Sequence, residues 1–246
     1  KYTYFKYFCG GESLDEIEDV VVKNHARGLQ TILDYSVEGS PLSDSPIRTD
    51  VSEQREDDIT RVKFNSITVS GKLNNKLNSN NNSALTCPLG VVKMTGISDC
   101  NLLLRVSEIL CYIQLFPKSK HTEEYLQSQF GVFGSDMSDV MKLYAQSIPR
   151  TPAFEMTEEK PPAALNEAQL AKWKRVIERL ESVCHECSRS GVALLIDAEQ
   201  TYLQPAIDLL AMYVTLKYNT AVSGERPIVH NTYQLYLKDT FDRLKA

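Results

Sequence analysis

The chain has 246 residues, of which 42% are hydrophobic, so it is long and apolar enough to bury a sizeable core. Its formal net charge of -5 gives no broad basic surface, which argues against sequence-independent binding to nucleic acid. No apolar run reaches the roughly 18 residues that a membrane-spanning helix needs, so we expect a globular protein without a transmembrane segment.

The six cysteines are scattered along the chain, a usage that is typical of a reducing compartment. Only the run Cys184-His185-Glu186-Cys187 resembles a metal or redox motif. A zinc or redox site would need a second ligand pair or a strand-to-helix turn beside it, and neither follows in the sequence. We therefore interpret this run as two thiols near the end of a helix and predict no metal site.

The first predicted elements are a helix and a short strand. Ser13 and Glu16 have the spacing of a capping box, and the helix that follows should end near Gly28. Leu29 to Tyr35 is short and apolar, which predicts a buried strand ending at Asp34.

A long polar stretch then interrupts this pattern. Residues 39–89 are rich in Ser, Asn and Asp, and the run NNKLNSNNNS at Asn74 to Ser83 is low in complexity and cannot supply a core. We interpret 39–89 as an insertion that is poorly ordered, although Ile59 to Val69 could hold some local structure.

The second strand is predicted at Gly90 to Gly96, where apolar flanks on both sides indicate burial on both faces, as in a parallel sheet. Lys93 lies in the middle of this strand. A helix from Ser98 to about Phe116 follows, because its apolar residues recur at helical spacing. Residues 117–162 then form a second polar insertion.

Two short helices are predicted within that insertion, near Glu123 to Phe130 and near Met137 to Ala145. After it, Leu165 to Ser190 reads as a long amphipathic helix that Gly191 ends. The run GVALLIDA, from Gly191 to Ala198, is the clearest buried strand, with its polar residue at the carboxyl end.

The last two helices enclose a fourth strand. A helix is predicted at Tyr202 to Tyr218, a strand at Ile228 to Tyr233, and a closing helix up to Ala246. Four strands that are each followed by a helix fit half of an eight-stranded β/α barrel or a small doubly wound sheet, and periodicity does not choose between them.

Five sequence motifs favour the barrel over the doubly wound sheet. They are FCGGE at Phe8 to Glu12, LDYSVE at Leu33 to Glu38, VKMTGI at Val92 to Ile97, LLIDAEQTYLQPAID at Leu194 to Asp208, and NTYQLYLKD at Asn231 to Asp239. In this order they resemble the proline dehydrogenase family, and its eukaryotic, mitochondrial branch most of all. The resemblance covers nearly the whole chain outside 39–89 and part of 116–162.

The resemblance implies a distorted β/α (TIM-like) barrel that binds FAD at the carboxyl ends of its strands. It implies oxidation of L-proline to 1-pyrroline-5-carboxylate, with electrons passed to a membrane quinone. It also implies a mitochondrial location, in the matrix or at the inner membrane surface, with peripheral membrane association. The family's later strands and its arginine pair have no counterpart before Ala246. We therefore expect residues 1–246 to be one partial barrel domain, its first four β/α units, unable to turn over proline alone.

Lys93 and Asp197 are the candidate catalytic residues. An ammonium among valines and a methionine is unfavourable unless it is paired with a carboxylate or binds an anionic ligand, so a structural salt bridge is the alternative for Lys93. The resemblance implies that Lys93 lies near both substrate and flavin and that Asp197 lies against the flavin. Asp197 ends a strand, where barrel residues face the active site, and its alternative is to cap the next helix.

The remaining candidates follow from the same resemblance. Ala198 matches a residue that lets the isoalloxazine ring approach closely, and Gln234 matches a glutamine that hydrogen-bonds the ring. Asp34 and Glu38 match substrate-side carboxylates at the mouth of the site, with solvated loop charges as the alternative. If the strands are parallel, Asp34, Lys93, Asp197 and Gln234 should converge at one end of the sheet.

Two other functional classes remain open. The chain could belong to another β/α-barrel enzyme in which Lys93 forms a Schiff base, or it could be a non-catalytic half-barrel that acts as an interaction module. A nicotinamide site of the Rossmann type is disfavoured, because the glycines do not form a GxGxxG turn.

Overall fold

A computed structural model describes residues 9–11, 13–34, 49–78, 88–130, 135–147, 154–219 and 226–245. These residues form an α/β architecture around a parallel sheet. Its four strands are β1 (Ile32–Leu33), β2 (Leu89–Val92), β3 (Ala193–Ile196) and β4 (Val229–Asn231), and they lie side by side in chain order.

One described helix precedes β1, and at least one helix follows each strand. These helices are α1 (Leu14–Ala26), α2 (Thr49–Asn78), α3 (Met94–Ile97), α4 (Cys100–Leu115), α5 (Lys120–Tyr125, continued by a π-helical turn at Leu126–Phe130), α6 (Ser135–Ser147), α7 (Glu167–Ser190), α8 (Gln204–Tyr218) and α9 (Thr240–Lys245). The predicted alternation of strands and helices is confirmed. None of these described helices is both long enough and apolar enough to cross a membrane.

The strand pairing fixes which residues meet along the sheet. Leu33 pairs with Gly90, Val92 with Ile196, and Ile196 with Asn231, all in parallel register. The observed strands are shorter than the predicted ones at their ends. In particular, the predicted strand at 90–96 ends at Val92, and Lys93 becomes the N-terminal cap of the short helix α3.

Helix α7 shows how local sequence sets an element's limits. Asn166 and Gln169 form a capping box at its start, and Gly191 ends it in the left-handed conformation with φ 64°. Trp173 and Leu180 are fully buried on its inner face. Cys184 is buried as well, and burial raises the pKa of its thiol to about 12, which fits the prediction of a structural thiol.

The prediction that residues 39–89 are poorly ordered is wrong over residues 49–78, which form helix α2. Helix α2 has 30 residues and buries Ile59, Ile67 and Leu73 in the core. Its inner face also buries Lys63 and Ser66, so the apolar stripe is broken by polar residues. These polar groups are tolerated because they find partners, as when the Ser66 hydroxyl donates to the Lys63 carbonyl at 2.8 Å.

Helix α2 packs along α7 with one close backbone contact and several ion pairs between side chains. A Cβ added to Gly71 would lie 2.5 Å from the carbonyl oxygen of Ser190, so only glycine allows this backbone contact. Arg179 of α7 is buried and binds Glu56 at 2.5 Å and Asp57 at 2.7 Å on α2. The two helices therefore pack against each other, and each also contacts strands of the sheet.

The segment 117–162 contains the short helices predicted there, as α5 and α6. It also contributes to the core, because Phe130, Met141 and Tyr144 are completely buried. Ser107 of α4 donates to the carbonyl of Leu203 and accepts from the amide of Ala206, each at 3.1 Å. This hydrogen-bonded serine joins α4 to the start of α8.

Candidate active site

The carboxyl ends of the four parallel strands lie side by side at one end of the sheet, which we call the carboxyl edge. The predicted polar residues lie at or near this carboxyl edge. Asp34, Lys93 and Asp197 directly follow β1, β2 and β3. Gln234 comes three residues after the last residue of β4, rather than at the end of the strand as predicted. Glu38 lies outside the described residues. The parallel sheet therefore brings together Asp34, Lys93 and Asp197 at one edge.

Lys93 and Asp197 form an ion pair across that edge. The distance from Nζ to Oδ2 is 2.7 Å, and the two side chains are 17% and 33% exposed. The Asp197 amide donates to the carbonyl of Val92 at 2.9 Å, so the strand pairing extends to the charged residues themselves. Asp197 does not cap the next helix, because α8 begins only at Gln204 with Leu203 as its cap residue.

A cavity of about 450 Å³ opens beside this ion pair. Its lining includes Lys93, Ala198, Glu199, Gln234 and Tyr236. A volume of this size falls in the range of small-molecule sites. The structure therefore places Lys93, Ala198 and Gln234, which come from three different parts of the chain, around one space.

Glu199 is a buried residue of this cavity that the sequence analysis did not select. Its carboxylate accepts from the Thr95 amide at 3.0 Å and from the Thr95 hydroxyl. Burial raises the pKa of Glu199, while the Thr95 hydrogen bonds and the charge of Lys93 act against that rise. Through these bonds Glu199, which follows β3, holds Thr95 of the short helix α3, which follows β2. The contact therefore connects the segments that follow the two strands.

Lys63 of α2 is the second residue that the sequence analysis missed. Its Nζ lies 2.7 Å from Oδ1 of Asp34, and only 3% of its side chain is exposed. Burial lowers the pKa of Lys63, and the hydrogen bond that its ammonium donates to Asp34 opposes this effect. Asp34 is thus held in an ion pair and is not simply a solvated loop charge. The available signal was the helical spacing of Lys63 with Ile59 and Ile67.

A buried network supports the turn that carries Gln234. Asp208 of α8 pairs with Arg243 and accepts from the amides of Gln204 at 2.9 Å and Asn231 at 3.3 Å. Burial raises the pKa of Asp208, and the nearby Arg243 charge opposes that effect. The carbonyl of Gln234 in turn accepts from the Thr240 hydroxyl at 2.7 Å. These contacts anchor both ends of the turn after β4.

A parallel sheet with helices between its strands, and with an ion pair and a cavity at the carboxyl edge, defines an α/β protein with an enzyme-like site. The proline dehydrogenase family model matches residues 21–246, and the chain belongs to that family. The resemblance drawn from the five motifs is therefore confirmed.

Curated relatives carry the same family name. Proline dehydrogenase 1, mitochondrial, of Dictyostelium discoideum is 27% identical over 248 residues, which cover 100% of this chain and 36% of the relative. Its namesake in Arabidopsis thaliana is 32% identical over 245 residues, covering 99% and 41%. Proline dehydrogenase 2, mitochondrial, of Arabidopsis thaliana is 38% identical over 154 residues, covering 63% and 28%.

The chain thus spans 36% of the length of the Dictyostelium discoideum relative and 41% of the length of proline dehydrogenase 1 of Arabidopsis thaliana. No solved structure is significantly similar to it.

Proposed function

We propose that the protein is a flavin-dependent proline dehydrogenase that oxidises L-proline to 1-pyrroline-5-carboxylate. The observation that carries this proposal is the grouping of the Lys93–Asp197 ion pair with Ala198 and Gln234 at one cavity on the carboxyl edge. The mitochondrial names of the relatives support a mitochondrial location. We further propose that the electrons leave to a membrane quinone.

The strand order supports the barrel form of the fold. The four described strands follow one another in chain order and are all parallel, as in a β/α barrel. A doubly wound sheet would reverse its strand order at the ligand site, and this sheet has no such reversal among the described strands. We propose that these four β/α units form half of an eight-stranded barrel and that residues 1–246 form one part of that domain.

The side chains at the cavity fit a flavin. Gln234 offers both a donor and an acceptor, which suits a ring edge that carries both kinds of group. Ala198 presents only a methyl group to the cavity, so it leaves room for a flat ring to approach. We assign Gln234, Ala198 and Asp197 to flavin binding. When bound, the flavin supplies the two-electron acceptor for the reaction.

The chain's own residues bind and orient the substrate. Formation of the product requires loss of a hydride from Cδ of proline and of a proton from its nitrogen, so that a carbon–nitrogen double bond forms. Lys93 is placed to attract the substrate carboxylate, while Asp197 holds Lys93 in position and Glu199 fixes the turn that follows it. Asp34 and Glu38 are proposed to act at the mouth of the site.

The Schiff-base alternative is disfavoured by the Lys93–Asp197 contact. A lysine must be neutral to attack a carbonyl, and a carboxylate at 2.7 Å stabilises the charged ammonium instead. Borohydride treatment in the presence of substrate should therefore leave Lys93 unmodified. A covalent adduct on Lys93, detected by peptide mass spectrometry, would favour the Schiff base.

The decisive experiment is the visible absorption spectrum of the purified full-length enzyme, with the whole barrel proposed above, recorded before and after adding L-proline without oxygen. We expect a flavin spectrum that bleaches when proline is added. Gln234→Ala should lower the flavin content, whereas Lys93→Met should keep the flavin and raise the KM for proline by about tenfold or more.

Gln200 provides a matched control for the flavin measurement. It is a second amide at the same cavity with no match to a flavin-binding residue, so Gln200→Ala should reduce the flavin content less than Gln234→Ala does. A protein without flavin absorption, or one whose flavin is not reduced by proline, would contradict the proposed function.

A further inference from the structure

Two ion pairs lie at the carboxyl edge among the residues that the structure describes, and one of them depends on helix α2, which follows β1. Asp34 binds Lys63 at 2.7 Å, and Asp197 binds Lys93 at the same distance. Lys63 is the most buried of the four, with 3% of its side chain exposed, whereas Lys93 is 17% exposed. A lysine buried to this degree is rare unless it is paired.

The two pairs are neighbours on the sheet. Strand β1 pairs with β2, where Leu33 meets Gly90, and β2 pairs with β3, where Val92 meets Ile196. Lys93 and Asp197 directly follow the paired residues Val92 and Ile196, and Asp34 directly follows Leu33 on the neighbouring strand. Lys63 is close enough to Lys93 and Asp197 for both charges to act on it: burial and Lys93 lower its pKa, while Asp34 and Asp197 raise it.

The two lysines and the two aspartates carry no net charge, and Glu199, which is hydrogen-bonded to Thr95 and acted on by the charge of Lys93, lies beside them. The ammonium of Lys93 is already bound to Asp197, so an anionic ligand that approaches Lys93 also meets the field of two carboxylates. If Lys63 were neutral, two carboxylates would face one ammonium, and a further anion would be repelled. Lys63 therefore adds one positive charge to this edge, and without it the edge would be more negative toward a carboxylate.

We propose that Lys63 is a positioning residue for substrate binding, which holds Asp34 in place and balances the two carboxylates so that the edge accepts the carboxylate of proline. This assignment rests on the proposed function, because it takes proline as the ligand. Lys63 does not itself line the cavity, so it acts through Asp34 and through the field at Lys93.

The test compares two ring ligands that differ mainly in charge, cyclopentanecarboxylate and cyclopentanecarboxamide, as competitive inhibitors of proline oxidation by the same full-length enzyme. Lys63→Met should raise the inhibition constant of the carboxylate by about tenfold relative to that of the carboxamide. Asp34→Asn should change this ratio in the opposite direction, and the double variant Asp34→Asn/Lys63→Met should return it close to the wild-type value.

Lys76 supplies the matched control. It lies on the same helix and forms an ion pair with Glu18 at 2.8 Å, but its side chain is 68% exposed. Lys76→Met should leave the ratio of the two inhibition constants unchanged. If Lys63→Met fails to fold, Asp34→Asn and the double variant still test the assignment, because they must differ in the ratio.

Two results would overturn the assignment in different ways. If Lys63→Met lowers the melting temperature but leaves the ratio at the wild-type value, Lys63 has only a structural role. If the wild-type protein neither oxidises proline nor binds the carboxylate, the proposed function fails and the assignment fails with it. Opposite changes in the two single variants, cancelled in the double variant, would support it.

Discussion

At the scale of single residues, the site depends on how firmly Asp197 holds Lys93. A partly buried ammonium needs a counter-charge, because an unpaired buried charge is strongly unfavourable. Both residues directly follow paired strands, so the sheet fixes the geometry of the ion pair. A charged group that is held on rigid elements is better positioned for binding than one carried by a long loop.

Asp197→Asn tests this dependence, because it removes the negative charge and keeps the size of the side chain. We expect the free energy of unfolding to fall by about 1–3 kcal/mol, since Lys93 loses its counter-charge. We expect kcat/KM for proline to fall by roughly 100-fold, the size typical of losing one preorganised polar group from an active site. Urea unfolding and steady-state kinetics measure the two quantities.

Asp139→Asn is the control for that substitution. Asp139 pairs with Lys142 at 3.2 Å on the surface, where the two side chains are 72% and 57% exposed. Its replacement should change the free energy of unfolding by less than about 0.5 kcal/mol. Equal losses of stability in the two variants would show that the Lys93–Asp197 pair is no stronger than a surface pair.

Sequence reasoning selected the charged residues that the structure brings together at the strand ends, and it missed Lys63 for a physical reason. Lys93 and Asp197 interrupt or end apolar runs, where a charge is conspicuous. Lys63 lies in a polar helix, where a charge is ordinary, and its burial depends on Asp34, which is 29 residues away in the chain. A tertiary contact of that kind leaves little trace in local periodicity.

At the scale of elements, the same argument explains why β2 and β3 were predicted and α2 was not. The two strands are apolar runs with few alternatives. The inner face of α2 alternates Ile59 and Ile67 with Lys63, Ser66 and Ser70, so its hydrophobic periodicity is weak although the face is buried. Contacts with α7 compensate for the missing apolar residues.

Gly71→Ala tests the contact between α2 and α7. Alanine is favoured over glycine inside a helix by roughly 1 kcal/mol, which taken alone would stabilise α2. The added Cβ would, however, lie 2.5 Å from the carbonyl oxygen of Ser190, so one helix must move away from the other. We expect a net loss of about 1–3 kcal/mol in the free energy of unfolding, measured by urea denaturation.

The neighbouring residue offers the comparison for Gly71. Lys72 is exposed on the same helix, so Lys72→Ala should leave the stability nearly unchanged or raise it slightly. If Gly71→Ala were as stable as the wild type, the close approach of the two helices would not constrain this position.

At the scale of the whole molecule, apolar side chains are exposed beside both edge strands of the sheet. Leu29, before β1, is 56% exposed, and Ile32, the first residue of β1, is 45% exposed. Leu235 and Tyr236, after β4, are 78% and 79% exposed. Further β/α units of a barrel would pack at these two edges. The exposure of these residues therefore supports the proposed half-barrel, because further β/α units would cover them.

The cohesion of the molecule also depends on a buried carboxylate between α2 and α7. Glu186 accepts from Arg189 at 2.7 Å, from Ser190 at 2.6 Å and from Thr68 of α2 at 2.6 Å. Its side chain is 1% exposed. The hydrogen bonds from Arg189, with those from Ser190 and Thr68, hold the pKa of Glu186 at about 2, against the effect of burial.

The last prediction concerns acid stability. The pKa of Glu186 falls from 4.5 in the unfolded chain to about 2 in the folded protein, so between these values the unfolded state binds more protons. The stabilisation that Glu186 contributes is complete above this pH window and is lost as the pH falls through it.

Glu186→Gln cannot titrate, so its urea midpoint should fall less steeply between pH 4.5 and about 2 than the wild-type midpoint does. Glu178→Gln, at a position that is 60% exposed, should follow the wild type. Parallel curves for wild type and Glu186→Gln would mean that other carboxylates govern acid unfolding, and that the tie between α2 and α7 contributes little to the pH dependence.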